Sequence, residues 1–270
     1  MSPTKVDRPV SALDNVDARL RSFWHPVGLT GEPAPAEVEL LGERWDVSDC
    51  AGITSHLGLW WCAPTDPIAP LPTVPEHDDP AFVVVHSPPE VWSAGAAQMA
   101  DNFLDLSHIP FLHRDSFADP DAGPIPRLSP IRTDSGFETT YRHRTQRLHG
   151  SGSGRRVMTL WFTAPFCVMM RLEYLDDDAV IMASFFMQPI DTDHTRLFAV
   201  NWRDDILDGR CSRAETIAFQ QTVAAEDRSV LEQISTKWLP LDLRCEVHTR
   251  ADATTVEMRR TLARLLGGCA

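Results

Sequence analysis

Residues 156–203, RVMTLWFTAPFCVMMRLEYLDDDAVIMASFFMQPIDTDHTRLFAVNWR, decide the fold class. Four apolar or alternating runs of strand length (156–165, 166–175, 179–190 and 195–203) are separated by turn signals such as Asp176-Asp177-Asp178 and the DTDH of 191–194. Runs this rich in aromatic and β-branched residues, closely spaced and cut by turns, predict an antiparallel meander. GFETTYRHRTQRL (136–148) supplies a further alternating strand on its N-terminal side. On the other side, 211–236 reads as one long amphipathic helix and 252–266 as a basic-ended helix. The class is therefore α+β, a sheet with a long helix packed on one face.

Upstream of the meander, 90–109 (EVWSAGAAQMADNFLDLSHI) places Met99, Phe103 and Leu106 at helical spacing, and a Pro/Asp/Gly-rich loop follows over 114–130. Eight of the 21 prolines lie between Pro64 and Pro89, which predicts an extended, stiff connector and a boundary near residue 75. Two domains follow: 1–75, with short strand-like pieces at 38–47 and 56–63, and 76–270.

The 270 residues are enough for a full core without disulfide or metal staples. A net charge of −13 repels phosphate backbones, so nucleic acid is not an expected partner. No apolar run is long enough to span a membrane, and the polar, acidic N-terminus lacks the apolar region of a signal peptide, which predicts a cytoplasmic protein. Six cysteines, at 50, 62, 167, 211, 245 and 269, form no CxxC and read as small buried hydrophobes.

The chemistry concentrates in DNFLDLSHIPFLH (101–113). On a continuous helix Asp101, Asp105 and His108 share one face, and a carboxylate beside a histidine fixes its tautomer for metal binding. His113, five residues beyond His108, lies about 140° away on an ideal helix, but Pro110 breaks the helix and can swing it back. Two imidazoles suit zinc, iron or copper; a core histidine beside a surface histidine is the other reading. A third ligand is offered by Asp227 on the long helix, among Val223, Val230, Leu231 and Ile234. By spacing alone Asp227 is either such a ligand or a solvated helix-face acid flanked by Glu226 and Arg228.

DNFLDLSHIPFLH, followed by AAEDRSVLEQ (224–233), resembles the catalytic domain of Rieske non-haem iron oxygenases, nearest the vanillate and dicamba O-demethylase branch. SFWHPVGLTGEPAPAEVELLGERW (22–45) and GLWWCAPTDP (58–67) are similar to parts of that family's Rieske domain, so the likeness spans about residues 20–266. It implies a helix-grip catalytic domain in which His108, His113 and Asp227 bind mononuclear Fe(II). Asp105 would link a neighbouring subunit's cluster to the iron, Asn102 would support the ligands, and the assembly would be a homotrimer or hetero-oligomer. One departure is large. A Rieske cluster needs CxH and CxxH, and between Trp45 and Leu59 the chain has only DVSDCAGITSHLG. The expectation is a truncated Rieske-like remnant over 1–75 with no 2Fe-2S cluster.

A monooxygenation needs two electrons beyond those of the substrate, and one Fe(II) readily gives one. The resemblance therefore implies an oxygenase that hydroxylates or demethylates a small aromatic or heteroaromatic compound with O2 and takes electrons from a separate partner protein. A stand-alone oxygenase using substrate electrons, a non-redox hydrolase or lyase, and a non-catalytic subunit are the alternatives. Phe103, Trp161, Phe166, Met169, Met170, Phe185, Phe186 and Met187 are candidate cavity residues, the 141–144 strand is a candidate contact for an anionic substrate, and the 114–130 loop is a candidate lid.

Overall fold

Alternation along the central runs sorts their side chains onto two faces, and both faces are covered. In the computed structural model, which describes residues 8–119 and 123–267, the elements run in the following order. First come β1 (Ala12–Asp14), β2 (His25–Leu29), β3 (Glu37–Leu40), β4 (Glu43–Asp46), β5 (Gly52–His56), β6 (Leu59–Ala63), β7 (Val83–His86) and β8 (Glu90–Trp92). Then follow α1 (Ala96–Leu104), α2 (Ile109–Leu112), β9 (Ile131–Arg132), β10 (Gly136–Gln146), β11 (Ser153–Thr163), β12 (Cys167–Tyr174), β13 (Ala179–Pro189) and β14 (Thr195–Arg203). The chain closes with α3 (Arg213–Leu231), β15 (Trp238–Pro240) and α4 (Ala253–Leu265).

The meander from β10 to β14 forms as expected and is wholly antiparallel. β9 extends it at one edge, while β7 and β8 both pair with β14 at the other. On β13, Met182 and Phe186 point to one core cluster and Phe185 and Met187 to another. Trp61 of β6 packs edge-on against Phe186 at 5.3 Å, so part of the N-terminal segment covers the back of the large sheet. The opposite face carries α1 and α3.

Several local expectations change. The piece at 38–47 is a hairpin, β3–β4, not a single strand, whereas 56–63 holds the strand β6 together with the turn and the last residue of its hairpin partner β5. β5 and β6 are joined through Leu57 and Gly58, both at positive φ (53° and 75°), the signature of a two-residue hairpin turn. The connector is extended but contains a short 3-10 turn at Pro75–Asp78. β1 pairs with β15, which ties the N-terminal strand to the segment after α3. The cysteines do not all behave as buried hydrophobes: Cys245 is exposed, and Cys50 is half-buried with its Sγ 3.1 Å from that of Cys62. Cys269 lies outside the described residues. No described helix is long and apolar enough to cross a membrane.

The helix expected over 90–109 is much shorter. Residues 90–92 form β8, and α1 ends at Leu104 because Asp105 turns extended (φ −79°, ψ 121°) while its side chain accepts a hydrogen bond from Ser107 N at 2.7 Å. Pro110 is not the breaker. It sits in the first turn of α2, where its missing N–H leaves no bond unmade.

Candidate metal centre

α2 is a single turn with His108 at its N-terminal boundary and His113 at its C-terminal boundary. That spacing brings the two rings together, with His108 Nε2 and His113 Nε2 3.1 Å apart. From the opposite side α3 delivers Asp227, whose Oδ1 is 3.5 Å from His108 Nε2 and 3.3 Å from His113 Nε2. Asp227 and His113 are buried, and the stripe that α3 turns inward is Thr216, Gln220, Ala224, Asp227 and Leu231. Val230 and Ile234, expected to share an apolar stripe with Asp227, are exposed instead. The inward stripe is polar because it roofs a cavity.

Each member of the trio is held by a further group. Asn102 Nδ2 donates to Asp227 Oδ1 at 2.8 Å. Asp105 Oδ2 lies 3.6 Å from His108 Nδ1, beyond hydrogen-bond reach but close enough to favour the protonated ring nitrogen on that side. Glu226 Oε2 is 2.7 Å from His113 Nδ1 and accepts a second bond from Ser116 Oγ at 2.8 Å. Phe117 stacks on His113 at 4.9 Å. Glu226, which the sequence presents only as a neighbour of Asp227, orients His113. Asp101 is not part of the group: it pairs with Arg259 of α4.

The electrostatics favour a cation between the rings and the carboxylate. Burial opposes a charge on His108, but Asp105 and Asp227 outweigh it and raise its pKa to about 9. Burial likewise works against the Asp227 carboxylate, yet contacts with His108, His113 and Asn102 bring it down to about 2. A metal would take the place of that proton. Ligands about 2.1 Å from one ion and at right angles to tetrahedral spacing lie about 3.0–3.4 Å from one another. Two of the three donor–donor separations, 3.1 and 3.3 Å, fall in that range, and the third, 3.5 Å, lies just above it. The trio is the only group of its kind among the described residues whose ligand atoms lie within 4.8 Å of one another.

His108, His113 and Asp227 open onto a cavity of about 420 Å³ between the sheet and α3. Of the eight candidate lining residues, Phe103, Met170 and Phe185 face it, with Phe103 stacked on Phe185 at 4.6 Å. Phe166, Met169, Phe186 and Met187 are core, and Trp161 is half-buried against it. Asp105 reaches the wall of the cavity, and of the loop after α2, Ser116 and Phe117 line it. Residues 120–122 of that loop lie outside the described residues.

Residues 92–267 match the vanillate O-demethylase oxygenase C-terminal domain family. The chain is 25% identical over 195 residues to methylxanthine N1-demethylase NdmA of Pseudomonas putida, covering 72% of this chain and 54% of that protein. It therefore spans about half the length of that relative. It is 24% identical over 266 residues to the probable methylxanthine N7-demethylase NdmC of Pseudomonas sp. (strain TJI-51), covering 88% and 92%. The solved structure of Pseudomonas putida CBB5 NdmA with caffeine superposes with a TM-score of 0.72 at 21% identity, over 90% of both chains. Dicamba monooxygenase with non-haem iron and dicamba superposes with a TM-score of 0.60 at 14% identity, over 80% of this chain and 68% of that one. Both structural likenesses establish a shared fold.

Proposed function

Because the chain belongs to the vanillate O-demethylase oxygenase C-terminal domain family, we propose that His108, His113 and Asp227 hold one Fe(II) and that the protein is an oxygenase demethylating or hydroxylating a small aromatic or heteroaromatic compound. The observation that carries this reading is the triangle of two imidazole nitrogens and one carboxylate oxygen, 3.1–3.5 Å on its edges, facing a cavity of substrate size. Two histidines and one carboxylate on one side of an ion, with open positions opposite, are the donor set of non-haem iron oxygenases. Bound there, Fe(II) supplies the O2 chemistry.

The chain's own residues hold and orient. Glu226 fixes the His113 ring through Nδ1, and the Asp105 charge 3.6 Å from His108 Nδ1 favours a proton on that side, which leaves both Nε2 atoms for the ion. Asn102 holds the carboxylate by its Oδ1. Phe103, Met170 and Phe185 give the ring of a substrate an apolar floor and keep water from it.

Removing one methyl group as formaldehyde consumes one O2, two electrons and two protons and releases one water. The reading assigns those electrons to a separate Rieske or ferredoxin partner protein, because between Trp45 and Leu59 the sequence lacks the CxH and CxxH pair that a Rieske cluster needs. It also treats 1–75 as a shortened Rieske-like segment kept for packing and 76–270 as the iron domain. The packing of Trp61 against Phe186 supports that division of labour.

The test is iron uptake and O2 consumption. Anaerobically purified protein is expected to take up one Fe(II) per chain. It is expected to consume O2 with a methoxylated aromatic substrate only when an NADH-dependent Rieske reductase is added. Turnover without the reductase selects the stand-alone oxygenase, and absence of iron uptake removes both. His108→Ala is expected to abolish iron binding, whereas Asp105→Ala keeps the iron and loses partner-dependent turnover. An Asp105→Ala protein with undiminished turnover counts against that route.

A further inference from the structure

Four arginines line the large cavity, and three are matched by a carboxylate: Arg147 by Asp177, Arg203 by Asp205 and Arg210 by Asp208. Arg156 is the exception. It is 4% exposed, the guanidinium donates from Nε to His143 Nε2 at 3.0 Å and from Nη1 to the Tyr174 hydroxyl at 2.9 Å, and among the described residues it meets no carboxylate. Neither acceptor is a carboxylate. Burial, and then Arg156 itself, hold the His143 imidazole down to about 3. Nη2 donates to no described residue.

A guanidinium cannot shed its proton to escape a dry site, and a buried charge is unfavourable unless an anion meets it. Arg156 stands in the wall shared by the large cavity and a smaller pocket of about 60 Å³, and Ile109, next to His108, lines both. We infer that Arg156 anchors an anionic group of the ligand, so that the ring taken by this cavity carries a carboxylate or another ionised oxyanion. The planar fork suits such a group, since a carboxylate can accept two parallel N–H bonds from one guanidinium. Met158, Leu172 and Ile181 supply apolar floor for the ring beside it. Calling this ligand a substrate rests on the proposed oxygenase centre; the anchor itself needs no metal.

Equilibrium binding to the full chain, metal-free and anaerobic, tests the inference by titration calorimetry. The probes are the three methoxybenzoates, the matching methoxybenzamides, and caffeine as a neutral heteroaromatic. The best benzoate is expected to bind about tenfold or more tighter than its amide and than caffeine. Arg156→Met is expected to erase that preference with the amide affinity unchanged, while Arg156→Lys keeps a reduced preference because the charge remains and the fork is lost. If iron or O2 chemistry fails while that preference persists, the anchor stands and the oxygenase reading falls. Equal affinity for acid and amide, no benzoate binding at millimolar concentration, or a preference that survives Arg156→Met overturns the anchor. Should Arg156→Met fail to fold by circular dichroism, the wild-type ratio and Arg156→Lys decide.

Discussion

Glu226 accepts from His113 Nδ1 and from Ser116 Oγ through one oxygen, so a single carboxylate fixes both the tautomer and the tilt of the ring. Its loss leaves His113 free to rotate, and supporting groups of this kind are worth about 10–100-fold in metal affinity. Glu226→Ala is therefore expected to weaken Fe(II) binding by about that factor with little change in folding, measured by competition with a chelator. Glu226→Gln, which keeps an acceptor, should fall between. Wild-type affinity in the alanine protein would remove the orienting role. His108 and His113 stood out as candidates by residue type and spacing, and Asp227 became one of two readings that only the family resemblance decided between, but nothing pointed to Glu226. Adjacent helical residues do not face the same way, so a pattern that turns Asp227 inward gives no reason to bring Glu226 to the same site. In the fold the His113 ring stands between the two carboxylates, with Asp227 at Nε2 and Glu226 at Nδ1. Arg156 was hidden for a different reason: what marks it is the lack of a carboxylate partner, which no sequence pattern records.

The strands were more legible than the helices. β10 to β14 are long, apolar and punctuated, and their predicted runs match the observed spans to within a few residues. Helical periodicity over 90–109 was real but short. The side chain of Asp105 competes for its own backbone by bonding Ser107 N, a local choice that an apolar pattern does not report. Sheet closure makes its own demand at Gly136, the first residue of β10, which faces Thr163 of β11. A Cβ there would collide with the backbone carbonyl of Phe162, and a backbone atom held in a ladder cannot swing aside. Gly136→Ala is expected to cost about 2 kcal/mol or more by forcing the two strands apart. Gly31→Ala, where a Cβ meets nothing within 4 Å, should change stability by no more than about 0.5 kcal/mol. Urea midpoints of the two variants decide, and equal midpoints would mean that the edge yields more easily than its geometry indicates.

At the scale of the whole molecule, the N-terminal segment and the meander share one core: Leu20, Phe23 and Val27 belong to the same buried cluster as Phe162, Phe185 and Met187. His25 lies in that shared core, fully buried, with Nε2 bonded to the Leu20 carbonyl at 2.9 Å and Nδ1 without a partner. Burial, only partly offset by the bond to Leu20, lowers its pKa from 6.5 to about 4. Above pH 6.5 the imidazole is neutral in the folded and the unfolded chain, and it contributes no pH dependence. Between pH 6.5 and 4 the unfolded chain binds a proton that the folded protein refuses, so stability falls as pH falls, and below pH 4 the loss levels off. At pH 5 the loss from this one residue amounts to about 2 kcal/mol. His25→Gln can keep a donor to Leu20 and cannot titrate. Urea melts of metal-free protein at pH 7.5 and pH 5 are thus expected to show wild type losing about 2 kcal/mol more than His25→Gln. His108, whose raised pKa acts in the opposite direction, is common to both proteins and cancels in the comparison. Equal losses would place His25 in contact with water. A difference seen by tryptophan fluorescence but not by far-ultraviolet circular dichroism would mean that the N-terminal segment opens before the meander does, against the single core that joins them.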